Sequence, residues 1–385
     1  MKRLIIILLA MLPMLFVAKA ETIKVDSVGK LATVLPDSVR FTIADLSVSG
    51  PLNGADLKLL QQIVTRNKTN KSNPKECLVT SIDLSGATIQ EGKDGLKTKA
   101  GELPSGLFSG AKSLMKVVLP QGITTIGKSC FANCENLTDI TLPESVTEIG
   151  NRAFEDCKNL PSLTLPENLK IIGANAFEGC KSFTTMTIPA GVRELEDDVF
   201  KDCSALSSIT LPEKLTKIGG EAFFGCEVLN ELIIPETVQE IGSSAFKKCT
   251  SLTNIQMDGV TKIGANAFFE CKSLSTVTLK KISKIGANAF EGCLSLNTVS
   301  LEGSLDELGA DLFKGCTNLS TVTIPNTVKN IANEAFKECK SLTAITLPTS
   351  LTKIGTHAFE GCSSLKELSI PNMVKSIGSS AFEIS

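Results

Sequence analysis

The chain has 385 residues, 18 Phe, 13 Cys and neither Trp nor Tyr, with 41 Asp plus Glu against 39 Lys plus Arg. That near balance gives no footing for a nucleic-acid groove or a polybasic membrane surface. The length accommodates one large domain or two to three ordinary ones.

The first element is Met1-Lys2-Arg3, an apolar run from Leu4 to Val17 and the small-residue ending Ala18-Lys19-Ala20. A charged start, a short apolar stretch and a small-residue close describe a secretory signal peptide over residues 1–20, with cleavage after Ala20. The mature chain then begins near Glu21. It has no later run of the roughly 20 apolar residues that a membrane-spanning helix needs, and no Cys just past the cleavage point to carry a lipid. The expected location is extracellular or at the cell surface, with the periplasm as the alternative.

Residues 21–107 read as an N-terminal cap of irregular α/β structure, because an open solenoid end needs protection. Within it, the stretch from Leu46 predicts a strand, a helix starts near Asp56 and runs to about Val64, and Leu78–Ser85 predicts a second strand. A loop rich in Gly, Lys and Glu follows.

From residue 108 a phenylalanine recurs at 108, 131, 154, 177, 200, 223, 246, 268, 290, 313, 336, 359 and 382, so that ten of the twelve intervals are 23 residues and two are 22. No amphipathic period within one element produces such spacing. A whole unit repeats, and residues 108–385 read as a solenoid of about twelve coils. Each unit runs from Phe-x-x-Cys to Leu and then to an alternating stretch, as in Leu319, Val322 and Ile324. The stretch commonly ends in Pro, which marks a short strand. A Val or Leu and an Ile-Gly pair follow, the glycine suiting a tight bend or close backbone approach. The Gly-Ala-Asn-Ala-Phe type segment that closes the unit predicts one helical or 3₁₀ turn. Such a unit has apolar positions on one side that it cannot bury alone, so neighbours must stack. The fold expected is short parallel strands on one face and short helical or 3₁₀ turns on the other. Two shortened units, Met257–Gly264 and Leu279–Gly286, lack a residue and the Pro, which predicts a local change in the turn over 257–283 and no domain boundary.

Columns of identical residues invite functional readings. Eleven cysteines, among them Cys157, Cys180, Cys249 and Cys339, occupy one position of the unit. They read as a ladder of buried free thiols, since Cys packs as a small apolar side chain; a disulfide lattice is the alternative. One Cys per coil with no close CxxC pair is not a tetrahedral metal site. Cys77 and Cys130 fall outside the column. The phenylalanines, such as Phe154, Phe177, Phe246 and Phe336, read as an internal spine; Phe224 and Phe269, each following a column residue, are candidate surface contacts. A Thr/Ser column in the strand (Thr141, Thr164, Thr187, Thr210, Thr278, Ser300, Thr323, Thr346, Ser369) is interrupted by Ile233 and Gln256. Alternation places it on the outer surface of the sheet. Asp139, Asn230, Glu231, Asn254, Gln256, Asn297, Lys366 and Glu367 vary on or beside that surface and form the candidate binding face. His357 stands where sister coils carry Arg152, Asn175 and Glu221, so it reads as a surface variant. No catalytic set, metal site or phosphate loop is present, and no cofactor is expected.

The pattern Cys-x-x-Leu-x-x-Ile-x-Leu-Pro-x-x-Val-x-x-Ile-Gly-x-x-Ala-Phe resembles the BspA-like, or Treponema-type, leucine-rich repeats, over roughly residues 108–382. The region before it is similar to the flank of such proteins from Bacteroidetes. The resemblance implies a secreted or cell-surface protein that binds proteins or mediates adhesion, with an extracellular protein or glycoconjugate as partner; a structural envelope or matrix scaffold is the alternative. The family's ligands are not written in a transferable motif, so no binding residue carries over from it. The sequence stops at Phe382-Glu-Ile-Ser, partway through a coil, which implies an end covered by a contact or a chain shorter than its relatives.

Overall fold

The computed structural model describes residues 19–40, 42–65 and 79–383. The apolar run of the leader and Cys77 therefore lie outside the described residues. The architecture is a parallel-strand solenoid of about 15 turns with very little helix. The turns beyond the phenylalanine-bearing coils come from the N-terminal region. There β1 (Lys19–Lys24), α1 (Leu31–Val34), β2 (Ile43–Leu52), α2 (Gly54–Val64) and β3 (Ser81–Asp83) precede the first repeat strand, Lys116–Val118. β1 pairs with β2, β2 with β3 and β3 with Lys116–Val118, all parallel. One buried column thus runs Leu46, Ile82, Val117, Ile140 without a break between cap and repeats.

α2 begins two residues before the position expected from sequence, because Asn53 and Asp56 form a reciprocal capping box around its first turn. Asp56, only 2% exposed, also accepts the backbone N–H of Gly29 at 2.6 Å and of Leu31 at 2.9 Å. Its carboxylate therefore ties the loop after β1 to the start of the helix.

Each repeat coil has three sides. The first carries the outer strands expected from the alternating pattern, for example Thr185–Thr187 and Ser208–Thr210. The second corrects a sequence expectation. The segment ending at Ile-Gly is not merely a bend but a second, two-residue parallel strand, in register from Leu195 through Ile218, Ile241 and Ile263 to Ile285. Glycine follows the isoleucine in most coils, where the adjoining coil leaves little room, as at Gly264, where a Cβ would lie 2.4 Å from the Ser243 nitrogen; Glu196 and Ala332 take the position in two coils.

The third side is built of separate i to i+3 turns. Ala176 N–H donates to Gly173 at 3.2 Å and Cys180 N–H to Phe177 at 3.2 Å. Between them Asn175 has φ 59° and Gly179 φ 70°, a left-handed geometry that stops the turns from propagating into a helix. Their remaining donors reach the next coil, as from Phe177 to the Val199 carbonyl at 3.0 Å. The backbone thus hydrogen-bonds between coils on all three sides, with breaks in the strand ladders such as that between Ser208–Thr210 and Glu231–Ile233.

Inside, the thirteen phenylalanine rings stack in one continuous file, with centroids 5.1 to 5.7 Å apart from Phe108 to Phe382. Beside it runs the thiol file. Every described cysteine is free and buried. Each column thiol donates to the carbonyl of the phenylalanine one coil back, for example Cys157 to Phe131 at 3.2 Å, Cys249 to Phe223 at 3.1 Å and Cys339 to Phe313 at 3.2 Å. That carbonyl also accepts an N–H from within its own coil, as Phe223 does from Cys226 at 3.1 Å. Both lone pairs of a buried oxygen are used, which is what a small side chain with one weak donor supplies.

Of the two shortened units, Met257–Gly264 keeps the ordinary turn, closed by the Val260 N–H on the Met257 carbonyl at 3.1 Å, and the expected change falls in the second. Without Pro, which has no N–H to give, the strand Thr276–Ile282 continues where longer coils turn. It pairs with Thr298–Gly303, with an irregularity between Leu279 and Ile282.

Candidate functional site

The outer strand side chains stand on a frame whose inward side chains are almost all buried. In Glu231–Ile233, Leu232 points in while Glu231 and Ile233 point out; in Asn254–Gln256, Ile255 points in while Asn254 and Gln256 point out. The two strands pair with Glu231 opposite Asn254 and Ile233 opposite Gln256. Four polar candidates, Asn230, Glu231, Asn254 and Gln256, are thus brought into one exposed patch.

The other candidates are exposed but separate. Asp139 is held by Lys116 at 2.7 Å, and that carboxylate raises the lysine's pKa. Asn297 accepts from the Thr298 hydroxyl at 3.1 Å and donates to the Asn318 carbonyl at 3.3 Å. Lys366 and Glu367 lie in an extended segment near the far end, outside any assigned strand.

The outer ladder is interrupted. Ser208–Thr210 pairs only with Thr185–Thr187, and Glu231–Ile233 only with Asn254–Gln256, so the two pairs do not hydrogen-bond to each other. A depression of about 550 Å³ opens across this gap. It is lined by Thr210, Glu213, Asn230, Glu231, Ile233 and Glu236 among others. Ile233, 72% exposed, stands where sister strands carry Thr. In sequence it is visible only as an interruption of the Thr column; an exposed aliphatic side chain at a strand position was the signal available. Farther along the same edge, Lys280 lies 2.9 Å from Asp258 and, with Gln256, holds that carboxyl below its usual pKa.

The turn side is chemically different. Lys314 bridges Asp311 at 3.0 Å and Glu334 at 2.7 Å, while Lys337 reaches Glu360 at 3.0 Å. His357 Nδ1 sits 2.6 Å from Glu360 at the end of this row of ion pairs. Phe224 and Phe269 are half-buried here and overlaid by lysines, with Lys247 4.8 Å from the Phe269 ring centre and Lys201 5.5 Å from that of Phe224. Among the described residues no three His, Cys, Asp or Glu side chains converge as a metal site. No described helix is long and apolar enough to cross a membrane.

The repeat unit and its stacked columns are matched by the profile of the BspA type leucine rich repeat region, over residues 101–226, 194–320 and 283–385. The chain belongs to this BspA-type leucine-rich-repeat family. A leucine-rich repeat protein from Bacteroides ovatus has 29% sequence identity and a TM-score of 0.61, over 76% of this chain and 82% of its own. One from Eubacterium ventriosum has 27% identity and a TM-score of 0.50, over 71% and 83%. A leucine rich cell surface protein from Faecalibacterium prausnitzii shares 28% identity over 76% of this chain and 85% of its own, with a TM-score of 0.47. No curated protein sequence matches the chain. BspA-type solenoids are typically non-catalytic repeat scaffolds, and the family supports a protein-interaction or adhesion module in general terms.

Proposed function

We propose that this BspA-type solenoid is an exported, non-catalytic binding module that engages an extracellular protein or glycoconjugate through its outer strand face. The observation that carries the reading is the division of labour within each strand: inward residues such as Leu232 and Ile255 are buried, while Glu231, Asn254 and Gln256 are presented on a backbone stitched on its other sides. A rigid surface whose side chains vary from coil to coil presents a preorganised contact area. The signal-like start of the sequence supports export, and the exposure of Asn230 and Asn297 supports a contact surface extending over several coils.

The test is a pull-down from host extracellular proteins, envelope proteins and glycans with the full mature chain. A saturable interaction lost on replacing Asn254, Gln256 and Asn297 with Ala, and kept on replacing His357 with Asn on the turn side, is the expected result. Absence of any saturable partner, or loss through the turn side alone, would favour a passive envelope or matrix scaffold.

A further inference from the structure

The geometry points to a specific kind of occupant for the depression between Ser208–Thr210 and Glu231–Ile233: an extended basic polypeptide segment carrying an aliphatic side chain between its lysines or arginines. This rests on the proposed role of the outer strand face and names the partner chemistry at one place on it.

Three features select that occupant. The first is charge. The lining contains the carboxylates of Glu213, Glu231 and Glu236 and no basic side chain. Among the described residues none of the three is within ion-pair distance of a cation; Lys280, whose charge is felt by Glu236, is itself engaged by Asp258 at 2.9 Å. Unpaired carboxylates at a rim attract cations and set salt-dependent association.

The second is the apolar floor. Ile233 is exposed in the middle of the rim, with Leu211 and Pro235 beside it. An aliphatic side chain laid on this floor removes apolar surface from water on both partners. No aromatic ring lines the depression, so a flat platform for stacking a sugar ring is not provided there.

The third is the backbone. Because the strands do not pair across the gap, the facing carbonyls have no donor, and the facing N–H groups no acceptor, in the neighbouring strand. Lysine and arginine carry only donors and so match both these carbonyls and the carboxylates. A polypeptide combines such cations with an aliphatic anchor at alternating positions of an extended chain.

The gap costs the solenoid little. The same two coils remain joined through Lys217–Ile218 paired with Glu240–Ile241, and through the Phe200 and Phe223 rings at 5.5 Å. Opening on one side therefore does not separate the coils.

The experiment uses the full mature chain and a labelled synthetic peptide with Leu flanked on both sides by Lys in an otherwise Ser/Thr sequence, read by fluorescence anisotropy. Saturable binding is expected, weakened by salt. It should fall about tenfold when the peptide's Lys are replaced by Glu, and about tenfold when its Leu is replaced by Ser. Ile233→Thr, which installs the column's usual residue, and the paired Glu231→Gln, Glu236→Gln substitution should each weaken binding about tenfold while the far-ultraviolet circular dichroism stays unchanged. Equal binding of the acidic peptide, or indifference to both groove variants, overturns the proposal. If a captured extracellular protein is lost with Asn254→Ala or Asn297→Ala yet is insensitive to Ile233→Thr, the groove assignment fails and the strand-face reading stands. If no substitution on the face affects any ligand, both fall.

Discussion

Replacing Phe246 with Ala tests whether the aromatic file is a set of neighbour interactions or simply buried bulk. Phe246 is fully buried and flanked by Phe223 and Phe268, each with its ring centre 5.2 Å away and nearly parallel. Truncation removes the ring's transfer free energy and leaves a cavity that two stacked rings cannot close, a loss of about 3–5 kcal/mol. Two ring contacts at about 0.5–1.5 kcal/mol each fall within that loss. Phe382 has a single stacked neighbour, Phe359 at 5.5 Å, and is 38% exposed. Phe382→Ala should therefore cost about 1–2 kcal/mol. The chain has no Trp or Tyr, so unfolding is followed in urea by far-ultraviolet circular dichroism. The expected order of midpoints is wild type, then Phe382→Ala, then Phe246→Ala, with Phe246→Leu between the last two. Equal losses at 246 and 382 would refute the account, because position in the file would then carry no weight.

The thiol file makes the folded chain sensitive to alkali. Burial pushes the Cys134, Cys293 and Cys362 thiols up to about 12 from an ordinary value of 9.0. The native state thus holds protons that the unfolded state releases, so this contribution is fully present below about pH 9 and is lost as the pH rises towards about 12; Cys293→Ala should flatten the fall in a pH series of urea midpoints. The same burial predicts that these thiols react with Ellman's reagent only after denaturation, and fast labelling of the native chain would contradict the file. Asp56→Ala should strand the N–H groups of Gly29, Leu31 and Asn53, costing about 1–3 kcal/mol or more, and amide exchange should quicken around α2. Gly264→Ala forces a Cβ to within 2.4 Å of the Ser243 nitrogen, so a drop in thermal midpoint is expected where a surface change such as Asn297→Ala produces none.

The repeat was legible because two residue types, Phe and Cys, are each assigned one buried place per coil. In the N-terminal region the strands at Leu46 and Ile82 were legible, but not their continuation of the inner column, since they carry neither marker. The second ladder escaped because Lys217–Ile218 and its counterparts span two residues each, too few for alternation to be seen. The left-handed corners escaped for a different reason. Asn175 and Asp198 are residues that tolerate positive φ, but Arg152, Glu221 and His357 adopt φ of 58°, 51° and 56° at the same position. There the stacking of coils overrides local preference. At the candidate face, the outward placement of Glu231 and Asn254 follows from alternation alone. The depression beside them does not, because the separation of two strands is decided by the other sides of the coil.

That separation leaves the outward positions of this face free of two constraints that act on the other sides. Around Ser208–Thr210 and Glu231–Ile233 the coils are held by Lys217–Ile218 against Glu240–Ile241 and by turn bonds such as Phe200 N–H to the Ala222 carbonyl at 2.9 Å. On the isoleucine side most coils carry glycine where a Cβ would strike the adjoining coil, and on the turn side the corner residues must accept left-handed geometry. The outer strand carries neither constraint. Its inward residue must be apolar, but an outward residue can be Thr, Glu, Asn, Gln or Ile, as at positions 210, 231, 254, 256 and 233. A change there alters surface chemistry while leaving the ring file, the thiol file and the isoleucine ladder intact, which is the condition under which a repeat scaffold can acquire a new ligand without losing its fold.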